Sequence, residues 1–239
     1  MASKTVEKNE VKTANPKDLG GLIITLLLIP LVLLISGWDL GWWQGWLYSA
    51  LIIVASIIPR IWAERRHPGL LAERGKLGKA QNVKSWDKVL APLMAVSVTF
   101  PLFIVAGLDH RFGLSPVFPI WLNIFGFILI ILGYTFGGLA LVENSFFATV
   151  VRIQTDREHK VCDSGPYRIV RHPGYAGNTL ALPGIVLALS SVWTIIPVIV
   201  ALIITVIRTV LEDKTLQKEL PGYRDYASRV RYRLIPGVF

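Results

Sequence analysis

Cysteine and charged residues are both scarce in this sequence. Among its 239 residues there is one cysteine, Cys162, which excludes an internal disulfide and any metal cluster held by several thiolates. Only 17% of the residues are charged while 53% are hydrophobic, a balance that is unusual for a soluble domain. The apolar residues also stand in blocks instead of recurring periodically. The composition therefore predicts a membrane protein.

Six apolar blocks are candidates for membrane-spanning helices, which need about 20 mostly apolar residues. They cover residues 19–36, 43–58, 89–108, 119–142, 176–190 and 192–210. No small-residue cleavage pattern follows the first block, so we expect a retained helix rather than a signal peptide. The predicted fold class is an all-α membrane protein with about six transmembrane helices.

The fifth block is short and contains Pro183 and Gly184, and only Ser190 and Ser191 separate it from the sixth. We therefore expect the last two helices to form a tight hairpin. A fifth segment that does not cross the whole bilayer is the alternative.

Basic residues lie on alternate sides of these blocks. Every lysine and arginine except Arg111 falls in the N-terminal tail or in the polar segments 60–88, 152–171 and 208–233. The positive-inside rule then predicts that both termini and these segments are cytoplasmic. Orientation and attraction to anionic lipid headgroups account for the net charge of +9, so no nucleic-acid partner is expected.

The chain divides into three regions on this basis. Residues 1–18 have almost no apolar side chains and are expected to be a disordered cytoplasmic tail. Residues 19–142 hold four helices and the basic loop 60–88, in which Leu70 and Leu71 predict a short interfacial helix. That loop is a solvated linker or a segment that gates substrate entry. Residues 143–239 hold the remaining two helices and most of the polar motifs.

A small-residue spacing occurs in the fourth block, where Gly133 and Gly137 stand four positions apart. Such spacing lets two helices approach closely. We expect close packing within the chain rather than a dimer, and the sequence leaves the oligomeric state open.

Residues 165–175 read Gly-Pro-Tyr-Arg-Ile-Val-Arg-His-Pro-Gly-Tyr and join the fourth and fifth blocks. Because His172 precedes proline, it is held in an extended conformation, and it either orders the start of a helix or has a catalytic role. Arg171 offers a forked donor for a carboxylate or lipid phosphate. Tyr167 and Tyr175 can contact a cofactor or simply lie at the membrane interface. No second histidine or carboxylate stands at metal-ligand spacing, so no metal site is expected.

The last apolar block ends with Arg208 and Glu212, which share one face of a helix. They form either an ordinary ion pair or two opposed charges beside a pocket near the membrane surface. Ionisable groups at membrane depth are costly and point to function.

Taken in order, these motifs resemble the isoprenylcysteine carboxyl methyltransferase and phospholipid methyltransferase superfamily, integral membrane enzymes that use S-adenosylmethionine. The resemblance rests on Gly-Pro-Tyr at 165–167, Arg-His-Pro-x-Tyr at 171–175, Arg208-x-x-x-Glu212 and Tyr223-x-x-Tyr226. It covers residue 144 to the end of the sequence. Before that point only the number of helices agrees.

The resemblance implies an S-adenosylmethionine pocket on the cytoplasmic side, formed by the last third of the chain. The implied cofactor-binding residues are His159, Lys160, Val161, Cys162, Tyr167, Arg171, His172, Pro173, Gly174, Tyr175 and Glu212. The first four would line the adenine end, and Glu212 would pair with the amino group. Arg208 would lie near the acceptor carboxylate. Apart from the resemblance, an amine or thiol acceptor would need a proton removed, for which His172 or a tyrosine is the candidate.

The resemblance also has departures. Its prenylcysteine branch has glutamine where this chain has Arg152, with Gln154 two positions later. The expected acceptor is lipophilic and enters from the bilayer, either an isoprenylcysteine-type carboxylate or a phospholipid amine. The rival interpretations are an NADPH-dependent reductase of the sterol type and a membrane protein without enzymatic activity.

Overall fold

The computed structural model describes residues 16–75 and 80–239, and the side chains of that part except those of 16–26 and 97–99. Its helices are α1 (Pro16–Gly37), α2 (Trp43–Arg66), α3 (Leu70–Arg74), α4 (Asp87–Phe112), α5 (Ile120–Glu143), α6 (Pro173–Ala188), α7 (Ile195–Glu219) and α8 (Tyr223–Arg229). Two 3-10 turns, Thr155–Arg157 and Gly165–Arg168, lie between α5 and α6. No strand occurs in the described residues, so the all-α prediction is confirmed for them.

Four of the described helices, α2, α4, α5 and α7, are long and apolar enough to cross a membrane. The part of α1 with described side chains, Leu27–Gly37, is also apolar. Helix α6 has only 16 residues, fewer than the ~20 that a straight span needs. An integral membrane protein is thus supported, while the count of six spans and the cytoplasmic position of the termini stay predictions.

Helices α5 and α6 form the most extensive helix pair in the fold. A Cβ atom on Gly133 would lie 2.4 Å from the carbonyl oxygen of Gly177, and one on Gly126 would lie 2.6 Å from that of Gly184. These contacts show that the two helices run antiparallel with their backbones in close approach, as the glycine spacing predicts. Helices α6 and α7, which the sequence predicts to form a tight hairpin, pack less extensively on each other, and residues 189–194 separate them. Helix α6 therefore packs mainly against α5 and to a smaller extent against α7.

The polar segments of the chain meet at one end of the bundle. Helix α3 begins where both carboxylate oxygens of Glu64 accept backbone N–H groups, from Gly69 at 2.7 Å and Leu71 at 2.8 Å. This cap folds the chain back after α2, and the short helix expected at Leu70 is present. The hydroxyl of Thr149 then donates to the carbonyl of Arg74 at 2.9 Å, so α3 is joined to the segment that follows α5.

The C-terminal residues pack against the same end. The N–H groups of Arg171 and His172 donate to the carbonyls of Tyr232 and Arg233 at 2.9 and 3.0 Å. The carbonyl of Phe239 accepts three N–H groups, from residues 233–235. The last ten residues are therefore docked across the start of α6.

The segment between α5 and α6 is irregular, and its backbone bonds to side chains and turns. The N–H of Val151, for example, donates to Asp87 at 2.5 Å. The expected disordered tail covers residues 1–18, of which 1–15 lie outside the described residues and 16–18 belong to α1.

Candidate active site

A cavity of about 470 Å³ lies where α3, α4, α7, α8 and residues 144–175 converge. Every site residue named from the sequence lines it: His159, Lys160, Val161, Cys162, Tyr167, Arg171, His172, Pro173, Gly174, Tyr175, Arg208 and Glu212. The cavity wall also includes residues that the sequence did not single out, among them Arg74, Met94, Phe146, Phe147 and Asn178. Its volume is within the ~300–1,000 Å³ usual for small-molecule sites.

Asp213 is a fully buried carboxylate that organises one wall without lining the cavity itself. Arg171 donates to it through Nε at 2.7 Å and Nη2 at 3.0 Å, and the Tyr223 hydroxyl donates at 3.1 Å. Arg233 and Gln217 add hydrogen bonds of 2.9 and 2.8 Å. Such a buried charge is tolerated because its oxygens are fully hydrogen-bonded to cations and neutral donors. The carboxylate thereby joins α7 to the start of α6 and to the C-terminal residues.

The forked donor of Arg171 is occupied by protein. Besides its two bonds to Asp213, Nη1 donates to the carbonyls of Val230 and Arg231, both at 2.7 Å. All sides of the guanidinium are therefore engaged, and Arg171 acts by holding its neighbours in position.

His172 is held between Asp213 and Tyr175. Its Nε2 lies 3.4 Å from Asp213 Oδ1 and 3.5 Å from the Tyr223 hydroxyl, and its ring stacks on Tyr175 with centroids 5.9 Å apart. The residue precedes α6 with φ of −125°, the non-helical conformation expected before proline. The imidazole is thus an oriented group in the cavity wall.

Arg208 pairs with Asp87 and not with Glu212. Its Nε and Nη2 donate to the two oxygens of Asp87 at 2.7 and 3.1 Å, and Nη2 also donates to the Thr149 carbonyl at 2.8 Å. Of the two alternatives left open by the sequence, the ion pair within α7 is not formed, because Asp87, at the start of α4, offers a buried bidentate partner across the helix interface. Glu212 instead accepts the hydroxyl of Tyr175 at 2.6 Å.

The opposite wall carries a neutral imidazole. The His159 ring stacks on Phe146 at 4.6 Å, and its Nδ1 accepts the N–H of Gln154 at 3.3 Å. Burial, and then the charges of Arg152 and Arg157, lower the pKa of His159 to about 4. At neutral pH its proton therefore lies on Nε2, which leaves that nitrogen a hydrogen-bond donor.

Arg152, which departs from the family pattern, has a structural partner. Its guanidinium donates to Glu73 of α3 at 2.5 Å and to Asp156 at 2.9 Å, with Glu73 almost fully buried. This pair ties α3 to the loop that carries His159.

Tyrosines close the remaining side. Asn144 donates to the hydroxyl oxygen of Tyr167 at 3.0 Å, and the hydroxyl of Tyr226 donates to the Tyr167 carbonyl at 2.7 Å. Burial raises the pKa of Tyr167 well above its usual value, and burial also raises that of Cys162 beside it. Both groups therefore stay protonated and serve as walls rather than as bases or nucleophiles.

Most of the arginines around the cavity are paired with carboxylates. Of the four arginines that line it, Arg152, Arg171 and Arg208 each hold a carboxylate in an ion pair. Arg74 has no carboxylate, and Glu212 no cation, within ion-pair distance among residues 16–75 and 80–239. One guanidinium and one carboxylate are thus left for a ligand.

Comparison with known proteins finds a similar family and similar curated proteins. Residues 121–221 match the family model of the phospholipid methyltransferases. The family resemblance is confirmed. The matched part contains α5, α6 and α7, together with all the site residues named from the sequence, but neither Arg74 nor Asp87.

Similar curated proteins are named as protein-S-isoprenylcysteine O-methyltransferases. The chain is 40% identical over 53 residues to a probable protein-S-isoprenylcysteine O-methyltransferase of Oryza sativa subsp. indica, a match that covers 22% of this chain and 28% of that protein. It is 34% identical over 58 residues to protein-S-isoprenylcysteine O-methyltransferase B of Arabidopsis thaliana, covering 24% of this chain and 29% of that protein. The chain thus spans less than a third of the length of the curated relatives it matches.

Proposed function

We propose that this protein is an integral membrane methyltransferase that uses S-adenosylmethionine and acts on a lipophilic acceptor. The observation that carries the proposal is Glu212, a carboxylate that lines the cavity with a hydroxyl as its partner and no cation within ion-pair distance among the described residues. A cationic ligand group supplies the charge that this carboxylate lacks.

The residues present fit such a donor. Glu212 would bind its amino group, while His159 and Phe146 offer an imidazole N–H and an aromatic face for its base. When bound, S-adenosylmethionine supplies an electrophilic methyl group on a sulfonium. The chain supplies position, since a transfer in line depends mainly on holding donor and acceptor in contact.

The walls of the cavity are suited to that task. Asp213, Arg171 and the docked C-terminal residues fix the start of α6, so that His172 and Tyr175 have defined orientations. The apolar side chains of Ala91, Met94 and Ala95 continue the cavity wall along α4, a candidate membrane span. An acceptor with an apolar tail would enter beside them.

Two acceptor chemistries fit the cavity differently. A carboxylate acceptor needs no base, only a cation to orient it, and the matched relatives are named as O-methyltransferases. An amine acceptor, as in phospholipid N-methylation, must lose a proton, for which His172 is the imidazole placed between Asp213 and Tyr175. The uncompensated guanidinium of Arg74 favours the anionic acceptor.

Calorimetric titration of the detergent-purified protein tests the proposal. S-adenosylmethionine and NADPH are titrated separately into wild type, Glu212→Gln and Glu158→Gln, the last a matched change at an exposed position outside the cavity. We expect saturable binding of S-adenosylmethionine to wild type and Glu158→Gln, weakened about tenfold or more in Glu212→Gln. Binding of NADPH alone, or equal binding by Glu212→Gln, would contradict the proposal.

A further inference from the structure

Arg74 is held firmly at the cavity wall. It is the last residue of α3, whose first turn is capped by Glu64, and its own carbonyl accepts the Thr149 hydroxyl at 2.9 Å. Its guanidinium lies 5.0 Å from the centre of the Phe147 ring, and Nη1 donates to the Phe147 carbonyl at 3.1 Å. The position of this cation is therefore fixed from three sides before any ligand binds.

Its electrostatic setting differs from that of the other cavity arginines. Arg152, Arg171 and Arg208 each donate to a buried or half-buried carboxylate, whereas Arg74 has one carbonyl and one aromatic face among the described residues. Burial, and then the charge of Arg60, lower the pKa of Arg74 to about 10. The guanidinium still carries its charge at neutral pH, and most of its five N–H donors have no protein acceptor in the described part.

We propose that Arg74 binds an anionic oxygen group, a carboxylate or a phosphate, of a ligand in the cavity. A half-buried cation with unused donors is costly unless a ligand completes it, and a planar guanidinium matches two oxygens of one anion. Together with Glu212, it gives the cavity a guanidinium without a carboxylate partner and a carboxylate without a cation at ion-pair distance, both among the described residues. Arg74 lies outside the part of the chain that matches the family model, so this assignment is independent of that match.

The proposal rests on the proposed function for the identity of its ligand. One source of the anion is the carboxylate at the amino-acid end of the methyl donor. The other is an anionic headgroup or carboxylate of the lipophilic acceptor. Both present the same chemistry to Arg74. The two sources are distinguished by testing the methyl donor and the lipid separately, each with and without the anionic group.

The test compares wild type, Arg74→Gln, Arg74→Lys and the control Arg65→Gln, an exposed arginine of α2 outside the cavity. In the donor arm, S-adenosylhomocysteine and decarboxylated S-adenosylmethionine are titrated calorimetrically. In the lipid arm, retention of phosphatidic acid against phosphatidylcholine is measured by native mass spectrometry. Thermal unfolding in detergent checks that each variant is folded, and Arg74→Lys keeps the charge if Arg74→Gln does not fold.

A donor carboxylate on Arg74 predicts that Arg74→Gln weakens S-adenosylhomocysteine binding about tenfold or more and leaves the decarboxylated donor unchanged. If Arg74 binds an anion of the acceptor, Arg74→Gln should leave donor binding unchanged and lower the preference for phosphatidic acid over phosphatidylcholine about tenfold or more. Arg74→Lys should lose less than Arg74→Gln in whichever arm responds. Arg74 variants that match Arg65→Gln in both arms would overturn the proposal. Absence of donor binding by wild type would instead reject the proposed function, with the lipid arm still deciding on Arg74.

Discussion

Arg208 and Asp87 form a buried bidentate ion pair that joins α7 to the beginning of α4. Asp87 is fully buried, and its Oδ2 also accepts the N–H of Val151. One carboxylate thus fixes two helices and the loop between α5 and α6, which together form much of the cavity wall.

Removing Asp87 should therefore be strongly destabilising. Asp87→Ala leaves the Arg208 guanidinium buried without its counter-charge, and we expect a loss of roughly 3–5 kcal/mol in unfolding free energy. Thermal and denaturant unfolding of the detergent-solubilised protein measure the change. The control Glu219→Gln breaks a partly exposed pair with Lys84 and should cost about 1 kcal/mol or less. Equal effects of the two changes would contradict the assigned role of Asp87.

Asp213→Asn should release the docked C-terminal residues. The amide accepts only one of the two guanidinium bonds and carries no charge for Arg171 and Arg233, so the contacts of residues 230–233 weaken. We expect faster hydrogen exchange in residues 171–172 and 230–233, and weaker donor binding although Asp213 does not line the cavity. Asp225→Asn, an exposed change on α8, is the control. Exchange that is unchanged in Asp213→Asn would show that the backbone bonds alone hold this segment.

The contact between α5 and α6 should tolerate a methyl group at one glycine and not at its neighbour. A Cβ on Gly133 would lie 2.4 Å from the Gly177 carbonyl oxygen, whereas one on Gly137 would lie 3.5 Å from that of Gly174. Gly133→Ala should thus cost roughly 1–3 kcal/mol through forced separation of the helices. Gly137→Ala should be neutral or slightly stabilising, since alanine favours the helix. Melting temperatures of the two variants, purified in parallel, provide the measurement, and the reverse order would refute this packing.

His159 should make stability depend on pH below neutrality. Its pKa is about 4 in the folded protein and 6.5 in the reference state, so between these values the unfolded chain binds a proton that the folded chain does not. The contribution of the neutral imidazole is complete above pH 6.5 and is lost as the pH falls toward 4. The melting temperature should change less with pH across this range in His159→Gln than in wild type. An equal pH dependence of the melting temperature in the two proteins would contradict this assignment.

The sequence predicted the parts of this protein that depend on local pattern. Long apolar runs indicate helices, and the motifs between residues 159 and 212 meet because α5, α6 and α7 pack side by side. The Arg208–Asp87 pair was not predictable in this way, since 121 residues separate its members. Glu212 is closer to Arg208 in sequence, but Arg208 pairs with Asp87, because Asp87 is buried and accepts two hydrogen bonds from the guanidinium.

The sequence assigned no role in the site to Asp213 or Arg74, for different reasons. Asp213 directly follows Glu212 of the Arg208-x-x-x-Glu212 motif. Its position beside that motif is a sequence signal that could have suggested it as a buried partner for Arg171. Arg74 stands in a basic segment in which charge predicts solvent exposure. The Glu64 cap, the bond from Thr149 and the contacts with Phe147 bring it to the cavity, and none of them is visible in the local sequence.

The order of synthesis follows from the docking of residues 230–233 on Arg171. During translation, Arg171 emerges from the ribosome about 60 residues before the carbonyls of Val230 and Arg231 that two of its hydrogen bonds require. The wall built on Asp213 is therefore completed only after residues 230–231 have been synthesised. Synthesis of the helices and completion of the ligand site are consequently separate steps.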